Sequence, residues 1–129
     1  MPDVIRRATL DDVEFITELE MSLFPGYNAN EWGVTQLVNA GLIQTYDQKG
    51  YISTSWGPEV HDIVRVAVHP NYQGCGIGRT LMEAVIYQAW LPIILSVKIA
   101  NTRAKALYKK LGFRFVGLVP HEETLVMMR

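Results

Sequence analysis

A glycine-rich segment in front of an apolar helical pattern is the clearest candidate for ligand binding in this sequence. The segment comprises Gln73-Gly74-Cys75-Gly76-Ile77-Gly78-Arg79. The apolar residues that follow, from Leu81 to Ala89, have the spacing of a buried helix face. The N-terminus of a helix exposes unpaired backbone N–H groups and carries a partial positive charge, and glycines let that backbone approach an anion closely. The segment therefore predicts a binding site for a phosphate or carboxylate group.

Two common nucleotide-binding patterns do not fit this segment. A P-loop would need glycine at position 73 and lysine at position 79, but the sequence has Gln73 and Arg79 there. A dinucleotide fingerprint that starts at Gly74 and Gly76 needs glycine or alanine at position 79, which is again Arg79. A tight turn that only joins a strand to a helix is the alternative interpretation.

Helices and strands on both sides of the segment must position it. Thr9 and Asp12 resemble a capping box before a first helix, and Asn30 is a candidate cap for a second helix that runs to Ala40. Thr102 is the candidate cap of a short helix after the glycine-rich half. Strands are predicted over residues 42–46, 51–55, 62–68, 93–99, 113–119 and 124–129. The order of strand, glycine segment, helix and strand predicts one parallel crossover in an α+β sheet.

Composition and charge narrow the function classes. The chain has 129 residues, 49% hydrophobic and 19% charged, so we expect one globular domain over residues 1–129. Lys and Arg number 12 against 13 Asp and Glu, which argues against nonspecific binding to nucleic acid or to an anionic membrane. Cys75 is the single cysteine and forms no intramolecular disulfide, and no apolar run reaches the ~20 residues of a membrane span. We expect a soluble, cytoplasmic protein.

Two motifs together resemble the GNAT acyltransferase superfamily. The first is Gln73-x-x-Gly76-x-Gly78, directly after a predicted strand that ends at Val68-His69-Pro70. The second is similar to the family's Asn-x-x-Ala-x-x-Leu-Tyr-x-x-x-Gly-Phe segment and begins at Asn101 and ends at Phe113. With the elements between them, the motifs cover residues 62–119. The resemblance implies a central twisted, mostly antiparallel sheet, splayed between the strands at 62–68 and 93–99 and flanked by about four helices.

The resemblance also implies a cosubstrate and the residues that bind it. Acetyl-coenzyme A would lie in the V-shaped opening of the sheet, where its pantetheine arm pairs with strand backbone and its pyrophosphate meets residues 74–79. The implied coenzyme-binding residues are Val66, Ala67, Val68, Gln73, Gly74, Cys75, Gly76, Ile77, Gly78, Arg79, Asn101 and Tyr108. The alternatives are a turn or capping role for Asn101, and either an inert or a redox role for Cys75.

Two catalytic roles follow from the resemblance. Tyr108 would be the general acid that protonates the departing thiolate, and Asp62 would be the general base that reaches the amine through ordered water. The alternatives are a packing role for Tyr108, a solvated strand start for Asp62, and His61 as a base on the other face of the strand. His61, His69 and His121 are too scattered for a metal motif, so no metal is expected.

The acceptor is the least determined part of this interpretation. We expect an acetyl-coenzyme A-dependent N-acetyltransferase that acts on the primary amine of a small molecule. The alternatives are a protein or peptide N-terminal acetyltransferase and a non-catalytic acyl-coenzyme A binding module. Glu59, Glu122 and Glu123 are expected near the acceptor side, which favours a cationic acceptor. Because the loops are short, the site is either shallow or completed by a second copy of the chain in a homodimer.

Overall fold

A seven-stranded sheet forms the centre of the molecule in the computed structural model, which describes residues 4–129. The strands are β1 (Ile5–Arg7), β2 (Ile43–Tyr46), β3 (Gly50–Trp56), β4 (His61–Val68), β5 (Ile93–Lys98), β6 (Arg114–Val119) and β7 (Thr124–Met128). Their order in the sheet is β1-β2-β3-β4-β5-β7-β6. Neighbouring strands are antiparallel except β4 and β5, which are parallel. The mixed, mostly antiparallel sheet that the sequence predicts is confirmed.

Four α-helices cover the two faces of the sheet within residues 4–129. They are α1 (Val13–Leu23), α2 (Glu31–Asn39), α3 (Ile77–Gln88) and α4 (Thr102–Lys110). Buried residues of α1 and α2 pack on one face with Ile43, Tyr51 and Ala67. Buried residues of α3 pack on the other face with Ile52 and Ile63. In this part of the chain no helix combines the length and the apolar character that crossing a membrane requires.

Short polar side chains set the starts of the first two helices. The Asn30 Oδ1 accepts a hydrogen bond from the Gly33 N–H at 2.9 Å, so the predicted cap of α2 is confirmed. The Asp12 carboxylate accepts from the Thr9 N–H at 2.8 Å, as in the predicted capping box. The first turn, Leu10–Asp12, is a 3₁₀-helix that leads directly into α1. These caps fix where the two helices begin, and their apolar residues pack on the same face of the sheet.

The sheet opens between its two parallel strands. β4 and β5 pair over three positions, from His61 with Ile93 to Ile63 with Leu95. Beyond these pairs β4 continues to Val68 without β5 as its neighbour. Beyond these pairs the backbone N–H and C=O groups on the facing strand edges have no partner strand, although the Val68 carbonyl oxygen accepts from the Gln73 side chain. The V-shaped opening predicted between the strands at 62–68 and 93–99 is confirmed.

A β-bulge in β4 lies where this opening begins. Ser53 of β3 faces Arg65, whereas the next residue, Thr54, faces Ile63, which leaves Val64 as an extra residue in β4. Regular alternation would place Val64 and Arg65 on opposite faces of the sheet. Because of the bulge, both line a cavity on the α1–α2 face.

Candidate active site

A first cavity lies at the opening of the sheet. It has a volume of about 760 Å³ and is bounded by the end of β4, the glycine segment and α4. The predicted coenzyme-binding residues all line it except Cys75 and Tyr108. Tyr72, Leu107 and Lys110 also line it and were not assigned from the sequence. The two sequence motifs therefore meet in one cavity.

Two glycines in the left-handed region shape the loop before α3. Gly74 has φ +82° and Gly76 has φ +84°, a conformation that favours glycine. The first helical hydrogen bond of α3 runs from the Thr80 N–H to the Gly76 carbonyl oxygen at 3.0 Å. The N–H groups of residues 77–79 consequently have no acceptor within the helix. Together with the positive end of the helix dipole, they form the cradle for an anion that the sequence predicts.

The free edge of β4 runs along this cavity. The His69 N–H donates to the Lys49 carbonyl oxygen at 2.7 Å. Alternation from that pair makes Ala67 the next residue of β4 whose main chain bonds to β3. The main-chain groups of Val66 therefore point to the other side, toward the opening. An extended ligand bound there would pair with β4 as one more strand.

Helix α4 supplies the opposite wall with polar and basic groups. Asn101, not the predicted Thr102, caps this helix, and its Oδ1 accepts from the Ala104 N–H at 3.2 Å. The cap uses the side-chain oxygen and leaves the amide nitrogen of Asn101 for a ligand. Arg103 and Lys110 line the same cavity and add positive charge. A free strand edge, an anion cradle and basic side chains fit a long phosphorylated ligand such as acetyl-coenzyme A.

Cys75 lies at the surface of the glycine loop. Its thiol is exposed, and its Sγ is 3.9 Å from the Gln73 carbonyl oxygen. Gln73 points back to the strand, where its Nε2 donates to the Val68 carbonyl oxygen at 3.1 Å. The predicted contact between Cys75 and the coenzyme would involve the main-chain N–H of Cys75, and it stays a prediction. Within residues 4–129 no group of three or more His, Cys, Asp or Glu side chains is arranged to hold a metal ion.

Tyr108 lies on the core side of α4 rather than in the cavity wall. Its side chain is half-buried, and its ring centroid is 6.0 Å from that of Phe113. Burial raises the pKa of the Tyr108 phenol above its usual value of 10.0. A phenol is protonated at neutral pH even without this shift, and protonated is the state that a general acid requires. The catalytic role of Tyr108 stays a prediction.

Asp62 and His61 lie on opposite faces of β4. Asp62 is exposed, and partial desolvation raises the pKa of its carboxyl, the direction that makes a carboxylate a stronger base. It lines neither cavity, so proton transfer to it would pass through water. His61 is 1% exposed and lies edge-on beside the stacked rings of Trp56 and Trp90, and its ring nitrogens have no hydrogen-bond partner among residues 4–129. This enclosure does not fit His61 as the base.

A second cavity lies on the α1–α2 face, next to the bulge in β4. It has a volume of about 370 Å³ and is bounded by α1, α2, the loop between them and β3. Val64 and Arg65 line this cavity, and the next three residues, Val66–Val68, line the first. The two cavities therefore follow each other along one strand.

An ion pair lies in the wall of the second cavity. The Arg65 Nε donates to the Glu20 Oε1 at 3.1 Å, and the Tyr51 hydroxyl donates to the same oxygen. Burial raises the pKa of the Tyr51 phenol, so the hydroxyl remains a donor. The Arg65 guanidinium lies between the rings of Phe24 and Tyr27, 4.4 and 4.3 Å from their centroids. The network fixes a positive and a negative group at one place in the cavity.

Sequence analysis missed this network and looked for acceptor-side charge elsewhere. Glu59, Glu122 and Glu123, which favoured a cationic acceptor, line neither cavity. A signal for the network is present in the sequence, because Arg65 stands inside the apolar run from Ile63 to Val68. A charge within a half-buried strand requires a partner of opposite sign.

Comparison with known proteins agrees with this geometry. An uncharacterized protein of Mycobacterium leprae is 32% identical over 133 residues, which cover 92% of this chain and 36% of that protein. The chain thus spans little more than a third of the length of that relative. The ribosomal protein bS18-alanine N-acetyltransferase of Haemophilus influenzae is 29% identical over 124 residues, 89% of this chain and 84% of that enzyme.

The fold is also found among solved structures. A chain in the structure of the NatC complex bound to Gag peptide and CoA has a TM-score of 0.80 and 18% identity, with 97% of this chain and 95% of that chain covered. At this identity the likeness shows the fold alone. The family model of the acetyltransferase (GNAT) domain matches residues 33–115, which contain β3, β4, the glycine segment, α3 and α4. The chain therefore belongs to the GNAT acetyltransferase family.

Proposed function

We propose that this chain transfers the acetyl group of acetyl-coenzyme A to the α-amino group at the N-terminus of a peptide or protein. The observation that carries the proposal is the succession of two cavities along β4. The first contains Val66–Val68 and the anion cradle, and the second begins at the bulge around Val64. A coenzyme in the first cavity and an amine that enters from the second would meet beside Val66.

The chain's own groups divide the chemical tasks. Acetyl-coenzyme A supplies an acetyl group activated as a thioester. Residues 77–79 hold the pyrophosphate, and the edge of β4 aligns the pantetheine arm so that the thioester lies next to the amine. The main-chain N–H of Val66 faces the opening and is the donor available to an oxygen that gains negative charge. In this proposal Asp62 accepts a proton from the amine through water, and Tyr108 gives one to the departing sulfur.

Two observations support a peptide acceptor over the small-molecule amine that the sequence favoured. The relative from Haemophilus influenzae carries the name of an enzyme that acetylates an alanine of a ribosomal protein, and the NatC structure of the same fold holds a peptide. The second cavity combines apolar residues, including Val34 and Ile43, with the amide side chains of Asn28 and Asn30. Such a lining suits both the side chain and the backbone of a terminal residue.

Release of the free coenzyme thiol across a matched acceptor panel tests this function. The panel contains a peptide with a free N-terminus, the same peptide with an acetylated N-terminus, and small primary amines. We expect thiol release with the free peptide and almost none with the blocked peptide. Turnover confined to the small amines would contradict the peptide assignment. Binding of acetyl-coenzyme A without turnover on any amine would assign the chain to the non-catalytic alternative.

Replacement of Asp62 by asparagine should change the pH dependence of the reaction. A base must be ionised to accept a proton, so kcat/KM should fall as the pH drops through the raised pKa of the Asp62 carboxyl. Asparagine cannot ionise, and the acidic limb of the profile should then shift or flatten. Steady-state rates from acidic to alkaline pH measure this limb.

The matched control for this experiment is Asp11→Asn, since Asp11 is exposed and lines neither cavity. Its profile should overlay that of the parent. An Asp62→Asn profile that also overlays the parent would place Asp62 outside the mechanism.

A further inference from the structure

Arg65 has hydrogen-bond donors that the fold does not use. A guanidinium carries N–H donors on each of its nitrogens. Within residues 4–129 the side-chain hydrogen bond of Arg65 is the one from its Nε to Glu20. The terminal Nη groups have no acceptor in that part of the chain. The side chain is 20% exposed and lines the second cavity, so these donors are reachable from it.

The guanidinium is also held in one plane before any ligand arrives. The rings of Phe24 and Tyr27 lie on it at 4.4 and 4.3 Å, and Glu20 anchors its Nε at 3.1 Å. An arginine fixed in this way loses little side-chain entropy when it binds a partner. The free edge of the planar fork matches the two oxygens of a carboxylate.

We propose that Arg65 determines acceptor specificity by binding a carboxylate of the acceptor through its terminal nitrogens. The preferred acceptor is then an amine with an acidic group close to it. This inference rests on the proposed function and names its substrate class. The carboxylate has two sources with the same chemistry, the side chain of an aspartate or glutamate at a peptide N-terminus and the α-carboxylate of a free amino acid.

The charges around the second cavity fix the sign of this preference. Glu20 already pairs with the Arg65 guanidinium and therefore weakens the binding of an incoming carboxylate to it. The other polar residues that line the cavity, such as Asn28, Asn30 and Ser53, are uncharged. An acceptor with a cationic side chain would face the outward donors of Arg65 and be repelled. The preference is opposite to the cationic acceptor that the sequence favoured.

Matched acid and amide acceptors test the proposal. Two peptides that differ only in aspartate or asparagine at the first position are compared, with glutamate and glutamine as a second pair. Free aspartate and free asparagine form the third pair, and all are assayed with the same acetyl-coenzyme A. We expect kcat/KM to favour the acidic peptide by about tenfold at low salt, mainly through a lower KM, because a charge-assisted fork replaces a neutral contact.

The preference of the free amino acids identifies the source of the carboxylate. If the side chain is the recognised group, the acid and amide peptides differ while free asparagine remains a poor acceptor. If the α-carboxylate is recognised, both free amino acids are better acceptors than the peptides. Both results support the role of Arg65, and they place its ligand at different positions of the acceptor.

Three variants separate specificity from stability. Arg65→Gln should bring the acid-to-amide ratio of kcat/KM to about one, and Arg65→Lys should give an intermediate ratio because it keeps the charge and loses the fork. Glu20→Gln should raise the ratio, since it removes the competing carboxylate. If the Arg65–Glu20 ion pair had only a structural role, Arg65→Gln and Glu20→Gln would lower kcat/KM equally for the acidic and the amide peptide. The acid-to-amide ratio would then be unchanged. Arg114→Gln, at an exposed site on β6 outside both cavities, is the charge-matched control.

A binding measurement keeps this inference distinguishable from the proposed function. Calorimetry with the acid and amide peptides is carried out on protein saturated with coenzyme A. Tighter binding of the acidic peptide, lost in Arg65→Gln, supports the proposal even where no acetyl transfer occurs. Equal affinity for the two peptides, with free aspartate and free asparagine bound no more tightly than the peptides, overturns it and leaves the acetyltransferase function untouched. A preference for the carboxylate that survives in Arg65→Gln overturns it as well.

Discussion

Replacement of Gly78 by valine is expected to lower the affinity for acetyl-coenzyme A by about 100-fold. Gly78 is in the first turn of α3, where the N–H groups of residues 77–79 have no acceptor within the helix. A branched side chain at this position stands between the backbone and the pyrophosphate. Loss of two charge-assisted hydrogen bonds costs about 3 kcal/mol, which corresponds to the expected change. Calorimetric titration with acetyl-coenzyme A measures it.

The protein itself has room for the new side chain at Gly78. A Cβ atom there would lie 3.7 Å from the Val68 Cγ2, an ordinary contact, and the backbone is not in the left-handed region. The loss should therefore appear without loss of the fold. Gly117→Val on β6 is the matched control, because a Cβ there meets only the Val126 Cβ at 4.0 Å. If folded Gly78→Val binds the coenzyme as tightly as Gly117→Val does, the anion cradle is wrongly placed.

Replacement of Tyr108 by phenylalanine should lower kcat by ~100-fold and leave the affinity for acetyl-coenzyme A almost unchanged. The ring and its contact with Phe113 remain, and only the hydroxyl is lost. The phenol is protonated at neutral pH, and burial raises its pKa further, so the parent holds the proton that the departing thiolate needs. Single-turnover kinetics combined with coenzyme titration separates the two quantities.

Tyr87→Phe provides the matched control for Tyr108. Tyr87 is 91% exposed on α3, and loss of its hydroxyl should not affect the rate. A Tyr108→Phe enzyme with the same kcat as Tyr87→Phe would leave Tyr108 with a packing role alone. A parallel loss of coenzyme affinity and fold stability would lead to the same conclusion.

The glycine loop and the free helix N-terminus at the start of α3 could be predicted from the sequence because their chemistry is local. Gly74 and Gly76 are glycines where the backbone has positive φ, and the following helix supplies the free N–H groups. These features occupy one short stretch of chain. The opening of the sheet followed from the order of strand, helix and strand around that stretch.

The second cavity, which we propose as the acceptor site, could not be predicted because its residues are distant in sequence. Tyr51 and Arg65 are 31 and 45 positions from Glu20, and they meet through the pairing of β3 with β4 and the packing of α1. The bulge at Val64 decides that Arg65 shares a face with Val64. No local pattern in the sequence predicts such a bulge, because a bulge is a property of the pairing between two strands.

The residue that caps α4 could not be predicted from the type of one side chain alone. Thr102 has the side chain of a good cap, yet Asn101 precedes it and takes that role. Asn101 was assigned to the coenzyme from the motif, with a capping role as the alternative. In the structure it caps the helix and also lines the first cavity, so the two interpretations are compatible.

Mass spectrometry of a peptide acceptor is the sharpest test of acetyl transfer to a peptide N-terminus, because it identifies the atom that receives the acetyl group. The peptide carries one free α-amine and one internal lysine, and it is incubated with acetyl-coenzyme A and the purified chain. We expect a product heavier by one acetyl group, with fragment ions that place this group on the α-amine and with an equal amount of coenzyme thiol released. Acetylation of the lysine alone, or thiol release without an acetylated peptide, would contradict it.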